Sequence, residues 1–313
     1  MDTGKEHSIK LSLEFKHRIV RSAEFVEAVA DFESLVQMHD PDDPRAMIIS
    51  GNAGVGKTAL LKTMVKQFAC KAESDSISSQ KVVMIKVTTQ NKSLSDFAAA
   101  ILKSLGDPTP TYGSYERKKE RIEVLLKAQG VSVVIIDEFH DMIPKSRMDK
   151  NSRIVQAVKW LFLNEMNPVS VVLAGTTEIE QLLNFDQQIN SRCTNLIRLH
   201  PFSMFNLDES QRYLAFAKSI VSYMPSKVIP AENVFFYKRL LLASDGNCRV
   251  LKNILVKAIE ITPPHEPITM DTMHQAWQKG VNEGQREFTE IAPFLAPEKS
   301  VNARLVKLEL LSA

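Results

Sequence analysis

The clearest chemistry in this chain lies in eight residues, Gly51-Asn52-Ala53-Gly54-Val55-Gly56-Lys57-Thr58, which match the spacing G-x-x-x-x-G-K-[ST]. The glycines let the backbone curl so that successive N–H groups converge on an anion, and a helix starting there turns its positive end to the same charge. At this spacing Lys57 reaches the β- and γ-phosphates of a nucleotide, and Thr58 offers its hydroxyl to Mg²⁺. Downstream, Val131-Ser132-Val133-Val134-Ile135-Ile136-Asp137-Glu138 is a run of β-branched residues ending in two carboxylates. Asp137 is placed to order Mg²⁺ beside Thr58, and Glu138 to orient and polarise the water that attacks the γ-phosphate. Such a run means little alone, but about 80 residues after a phosphate-binding loop it completes a nucleotide site. Thr176 ends another apolar run, Ser170-Val171-Val172-Leu173-Ala174, where its hydroxyl could face the γ-phosphate. Arg192 stands in a short polar segment, Asn184 to Thr194. Arg249 opens a helix after Ser244-Asp245-Gly246-Asn247-Cys248, a position the helix dipole disfavours and an anionic partner would explain.

These residues need strands to present them. Ala46-Met47-Ile48-Ile49 reads as a buried strand ahead of the loop, and Thr58 to Cys70 as the helix behind it. Val82 to Val87, Val131 to Ile136, Ser170 to Ala174 and Asn195 to Leu199 are further strands. Helices alternate with them: one marked by Leu94, Phe97, Ile101 and Leu105 and stopped by Gly106-Asp107-Pro108, one over Tyr115 to Ala128, and one over Ser152 to Glu165. This alternation predicts a doubly wound parallel sheet with helices on both faces. If Ser170–Ala174 inserts between the loop strand and the Asp-Glu strand, the sheet follows the plan of ATPases that use a catalytic glutamate. From Leu207 the pattern is helical only, over Leu207 to Ser222, Glu232 to Ala243, Cys248 to Ile261 and Met270 to Lys279, which describes a small lid. The expected divisions are a polar N-terminal extension (1–21), a nucleotide-binding subdomain (22–203), a helical lid (204–280) and a C-terminal tail (281–313).

With 313 residues and 44% hydrophobic content, the chain can bury a sizeable core and divide into two domains. A formal net charge of +2 leaves the partner open. Cys70, Cys193 and Cys248 are far apart and lack metal-ligand spacing, which fits core residues in a reducing compartment. The polar start, Met1 to Lys10, and the lack of any long apolar stretch make a cytoplasmic protein without a membrane partner the expectation.

In order, the Gly51–Thr58 loop, Asp137-Glu138, Thr176, Arg192 and Arg249 resemble the Walker A, Walker B, sensor 1, arginine finger and sensor 2 of an AAA+ ATPase. Within that superfamily the chain is similar to the TnsC/TniB transposition ATPases. The similarity rests on Arg18-Ile19-Val20 ahead of the first helix, Ile135-Ile136-Asp137-Glu138-Phe139-His140, Leu173-Ala174-Gly175-Thr176, the short arginine-finger helix, and Asp245-Gly246 before the Arg249 helix. The resemblance implies an ASCE P-loop fold, a five-stranded parallel sheet flanked by helices and followed by a small all-helical lid. It implies ATP contacts at Ile19, Val20, Asn52, Ala53, Gly54, Val55, Gly56, Lys57, Thr58, Ala59 and Arg249, and Mg²⁺ at Thr58 and Asp137. Catalytic roles fall to Glu138, Lys57, Thr176, Arg249 and an Arg192 supplied by the neighbouring subunit, with Arg198 as the other arginine available for that role.

The same resemblance implies a bacterial, nucleoid-associated regulator of transposition that forms an ATP-dependent homo-oligomer, ring or filament, on duplex DNA. It would act with a TniQ-type or other target-selection protein and recruit a transposase, which stimulates hydrolysis and disassembly. DNA contacts are expected at Asn91 and Lys92 first, at Thr111 and Lys118 second, and at Lys145 and Arg147, beside Lys150, third. The tail, with its amphipathic stretch Val301 to Leu311, reads as a docking segment. Two alternatives remain: a replication initiator or helicase loader of the same superfamily, and a nucleotide-switched signalling scaffold without DNA. Initiators usually append a DNA-reading domain, for which the stretch after Lys279 leaves no room.

Overall fold

A computed structural model describes residues 3–68, 81–88, 93–143, 153–164 and 166–312. The chain forms two compact units, one of Glu24–Ala53 and Lys57–Leu199, the other of Met1–Ala23, Gly54–Gly56 and His200–Ala313. In chain order the first elements are α1 (Thr3–His17), α2 (Ala23–Gln37), β1 (Ala46–Gly51), α3 (Lys57–Phe68), β2 (Val82–Lys86), α4 (Leu94–Ser104), α5 (Tyr115–Gln129) and β3 (Val133–Asp137). They continue with α6 (Arg153–Leu163), β4 (Ser170–Gly175), the short α7 (Leu182–Phe185) and α8 (Gln187–Arg192), and β5 (Cys193–Leu199).

The α/β unit is a five-stranded parallel sheet in the order β2-β3-β4-β1-β5. Its strands are short, continuous apolar runs because both faces are covered by helices. Successive side chains alternate between those faces. Ala46, Ile48, Val134, Ile136, Val171 and Leu173 pack with Phe97 and Ile101 of α4, Ile122 and Leu126 of α5, and Val158 and Leu161 of α6. Met47, Ile49, Val133, Ile135, Val172 and Ala174 pack with Phe25 and Phe32 of α2 and Leu60, Leu61 and Met64 of α3. A one-residue slip would exchange the two sets, so packing holds the register in which Ile48 lies beside Leu173 and Ile135 beside Val172. The order carries the functional consequence: β4 sits between β1 and β3, so the ends of all three strands lie side by side.

The helical unit contains α9 (Leu207–Ser222), α10 (Val234–Ser244), α11 (Cys248–Ile261), α12 (Met270–Gly280), α13 (Glu283–Thr289) and α14 (Glu298–Lys307). Its core runs through Tyr213, Phe216, Phe236, Leu240, Leu251 and Ile254, and the wholly buried Tyr213 hydroxyl is satisfied by the carbonyl of Tyr237 at 2.7 Å. Two expectations change here. Residues 1–21 are not a plain polar extension: α1 turns Phe15 into this core, and Ser8 Oγ donates to the carbonyl of Thr262 at 3.1 Å. The tail does not present its apolar residues for docking, since Phe294, Val301, Leu305 and Leu310 are buried in the same core. Arg239 donates to the carbonyls of Pro293 at 2.6 Å and Ala296 at 2.8 Å, and the Met204 N–H donates to Leu310 O at 2.7 Å. Among the described residues no helix is long and apolar enough to cross a membrane.

Candidate functional site

The loop between β1 and α3 is shaped by Gly54 and Gly56, whose φ angles of 86° and 111° lie where a side chain would be strained. Asn52 and Ala53 are exposed, Val55 is buried, and Gly54, Gly56, Thr58 and Ala59 are half-buried. Lys57 is 7% exposed, and its Nζ donates to the carbonyls of Gly51 at 2.5 Å and Asn52 at 2.9 Å. Those two bonds hold the ammonium against the mouth of the loop, where a phosphate would meet it.

Asp137 ends β3, wholly buried, and its Oδ2 accepts from Thr58 Oγ1 at 3.4 Å while its Oδ1 accepts from the N–H of Glu138 at 2.9 Å. Burial, and after it the charge of Glu138, push the Asp137 carboxyl above the usual carboxylate range, against the opposing pull of the Glu138 N–H, Lys86 and Thr58. A buried carboxylate beside a threonine hydroxyl is the oxygen set that a hard divalent cation compensates, so these two residues fit Mg²⁺. Glu138 takes a left-handed backbone, φ 57°, and its Oε2 lies 3.5 Å from His140 Nδ1. Ser50 pairs with Gly175, so Thr176 follows at the strand end beside Gly51. Its Oγ1 is enclosed without a hydrogen-bond partner, as expected of a hydroxyl that a ligand completes.

Arg192 is the last residue of α8, half-buried, with its Nε enclosed and unpartnered. Asp186 caps the other end of that helix: its Oδ1 accepts from the N–H groups of Gln188 at 2.9 Å and Ile189 at 3.1 Å, and Oδ2 receives Lys159 Nζ of α6 at 3.1 Å. Arg198 is engaged elsewhere, bound through Nε at 3.0 Å and through its guanidinium at 2.8 Å to Glu180 Oε2. Glu180 also accepts from Ser50 Oγ at 2.5 Å, tying the strand ahead of the loop to the turn after Thr176. Glu180, Asp186 and Lys159 escape a motif search. Only Asp186 leaves a trace in sequence, as an Asx residue just before a helix.

Ile19, Val20 and Arg249 belong to the helical unit. Ile19 is exposed, and Val20 packs against that unit's core. The Arg18 guanidinium stacks 4.5 Å over the Tyr223 ring. Arg249 has an exposed side chain, and its N–H donates to Asn247 Oδ1 and to Gly54 O, both at 3.0 Å. Gly54–Gly56 cluster with the same unit.

Of the expected DNA contacts, Asn91, Lys92, Lys145 and Arg147 lie outside the described residues, as do Lys150 and Cys70. Thr111 is exposed, on a turn organised by Arg121, which holds Asp107 Oδ2 at 2.9 Å and the carbonyls of Thr109 and Tyr112 at 2.8 Å each. Lys118 is corrected: it is 4% exposed, and its Nζ donates to Ser95 Oγ at 2.8 Å, joining α5 to α4 rather than facing a phosphate. Among the described residues no group of three or more His, Cys, Asp or Glu side chains could hold a metal ion.

The family model of the bacterial TniB protein matches residues 13–204. The chain belongs to the TniB family. No curated protein matches it. In fold, this TniB family member is similar to Cdc6p from Pyrobaculum aerophilum at 12% identity and a TM-score of 0.61, over 94% of this chain and 82% of that one. It is also similar to the Aeropyrum pernix ORC2 protein in its ADPNP-ADP complexes, at 16% identity and a TM-score of 0.56, over 83% and 70% of the two chains. Drosophila ORC bound to DNA is similar at 15% identity and a TM-score of 0.56, over 90% and 67%. The fold of this TniB family member is therefore the AAA+ fold, a parallel five-stranded sheet with a C-terminal helical region.

Proposed function

We propose that this TniB family member is a Mg²⁺-dependent ATPase that assembles as an ATP-dependent homo-oligomer on duplex DNA and regulates transposition. In this reading it links a TniQ-type or other target-selection protein to a transposase, which triggers hydrolysis and release. The observation that carries the ATPase reading is the Thr58 hydroxyl against Asp137 at the end of β3, with Lys57 bonded to Gly51 at the end of β1, Thr176 just after β4, and Glu138 following Asp137, on three adjacent strands. Membership of the TniB family supports the transposition part.

Bound Mg²⁺–ATP would supply the γ-phosphate that water attacks. Glu138 orients that water and takes its proton on the carboxylate. Lys57 faces the β- and γ-phosphates, Thr58 and Asp137 hold the cation, and the Thr176 hydroxyl reads the γ-phosphate. The loop residues Asn52 to Thr58 and Ala59 cradle the phosphates. Arg192, supplied to a neighbouring subunit, stabilises transition-state charge and makes assembly depend on ATP. DNA contact by such an assembly is to phosphates, Thr111 among the contributors, and weakens steeply with salt. The A. pernix ORC2 protein was seen with ADPNP and ADP, and Drosophila ORC with DNA, which supports an AAA+ frame compatible with both ligands. Likeness to Cdc6p and ORC proteins also favours a replication initiator, but at such identities it speaks for the fold alone, and the family match outweighs it.

Sedimentation with and without ATP and duplex DNA tests the reading. The wild type should pellet only with both, and assembly indifferent to DNA would sink the transposition role. Lys57→Ala should lose nucleotide binding. Glu138→Gln should bind ATP, stay on DNA and lose hydrolysis by about 10²–10⁴-fold. Arg192→Ala should bind ATP as a monomer but neither assemble nor hydrolyse, and wild-type assemblies of that variant would assign the role to another arginine.

A further inference from the structure

Glu138 sits on a tight turn whose geometry returns another side chain to it. The turn is anchored by Phe139, wholly buried, and closed by N–H bonds from Asp141 to Glu138 O at 2.9 Å and from Ile143 to His140 O at 3.1 Å. With Glu138 left-handed at φ 57°, the imidazole of His140 folds back until its Nδ1 lies 3.5 Å from Glu138 Oε2. That Nδ1 is enclosed and makes no hydrogen bond, while Nε2 lies 3.9 Å from Asp141 Oδ1. A small rotation of the Glu138 side chain turns the near contact into a charge-assisted hydrogen bond.

The opposite wall is bare for the same ring. A Cβ on Gly175 would lie 3.1 Å from His140 Nδ1, 3.2 Å from His140 N and 2.8 Å from Ile179 Cγ2. Gly175 has no left-handed φ, so space and not backbone conformation calls for glycine there. The residue immediately before Thr176 is thus kept small where the imidazole packs.

We propose that His140 is a positioning residue for Glu138: with its proton on Nδ1 it donates to the carboxylate and keeps that group aimed at the water. The inference rests on the ATPase reading above. A purely space-filling histidine would be replaced without loss by another flat ring, whereas a donor at the δ position would not.

The test compares ATP turnover and ATP affinity in full-length variants, each checked by thermal melting. His140→Phe keeps the bulk and removes the donor, and should lower kcat about ten-fold with unchanged ATP affinity. His140→Asn returns a δ-position donor and should recover turnover to within about three-fold of wild type. Gly175→Ala should resemble His140→Phe, because its methyl displaces the ring. In a Glu138→Gln background His140→Phe should change the residual rate no further, the non-additivity expected of a pair acting as a unit. Should the Phe variant melt early, His140→Leu takes its place. Wild-type turnover in the donor-free variant, or equal impairment of the Asn and Phe variants, would overturn the role of His140 while leaving an inactive Glu138→Gln to uphold the ATPase. Wild-type turnover in Glu138→Gln would remove Glu138 from its role and this proposal with it, whereas a wild-type protein that binds but never hydrolyses ATP would overturn the ATPase reading.

Discussion

Lys57 and Lys118 are both buried lysines, yet their surroundings differ in kind. Lys118 bonds a serine hydroxyl across two helices and is consumed by packing, whereas Lys57 bonds carbonyls of the very loop that would hold a phosphate. The motif around Lys57 was legible because phosphate binding dictates residue types at a fixed spacing. The fate of Lys118 was not, because a basic run on a helix looks the same whichever lysine turns inward. Asp137 shows the cost of such a site. Its carboxyl titrates above the usual range, for burial first and Glu138 second, so its contribution to folding is most favourable at low pH and is lost as pH rises through that range. Asp137→Asn should therefore melt a few degrees higher than wild type at pH 8 without nucleotide, the difference should shrink on acidification through the carboxylate range, and Mg²⁺-dependent turnover should vanish. Melting curves at several pH values, with hydrolysis assays beside them, check this.

The elements behave as levers for these residues. Helix α8 is too short to be stable by itself and depends on Asp186, a cap that is 6% exposed and ion-paired to Lys159. Burial alone would raise the Asp186 carboxyl, but Lys159 and the N–H groups of Ile189 and Gln188 outweigh it and hold the carboxyl below the usual range. A depressed carboxylate adds stability above its unfolded value that is lost as pH falls through the folded one, below about pH 4. Asp186→Ala should cost about 1–2 kcal/mol at neutral pH and less in acid, and should weaken ATP-dependent assembly by loosening Arg192. Urea denaturation at pH 7 and pH 3, with sedimentation at pH 7, reads both effects. The strands and lid helices were legible from their apolar periods. The N-terminal helix α1 was not, because its inward face mixes Ser8, Leu11 and Ser12 with Phe15, and serines hide an apolar stripe.

At the scale of the molecule, the chain after Gly280 is structural. Val301 and Leu305 are wholly buried, and Arg304, 7% exposed, donates through Nε to Thr289 O at 3.1 Å and pairs with Glu290 at 3.0 Å. The segment after β5 is held by the helical unit too: Phe202 N–H donates to Gly246 O at 2.8 Å, and its ring stacks on Phe216 at a centroid distance of 4.5 Å. Leu305→Ala should destabilise the helical unit by about 2–5 kcal/mol, and removal of residues after Pro297 should unfold it. A detachable docking peptide would leave the denaturation midpoint where it was.

The sequence by itself determined the loop, the Asp-Glu strand, the parallel α/β class and the helical C-terminal region, because nucleotide chemistry and apolar periodicity are local constraints written at fixed spacing. Only the tertiary structure decided that β4 lies between β1 and β3, that His140 returns to Glu138 beside a bare Gly175, that Asp186 and Lys159 pair at the start of the short helix that ends in Arg192, and that the tail is core. Each of those depends on which distant surfaces bury one another, and an amphipathic stretch states only that it has a face to cover, not what covers it.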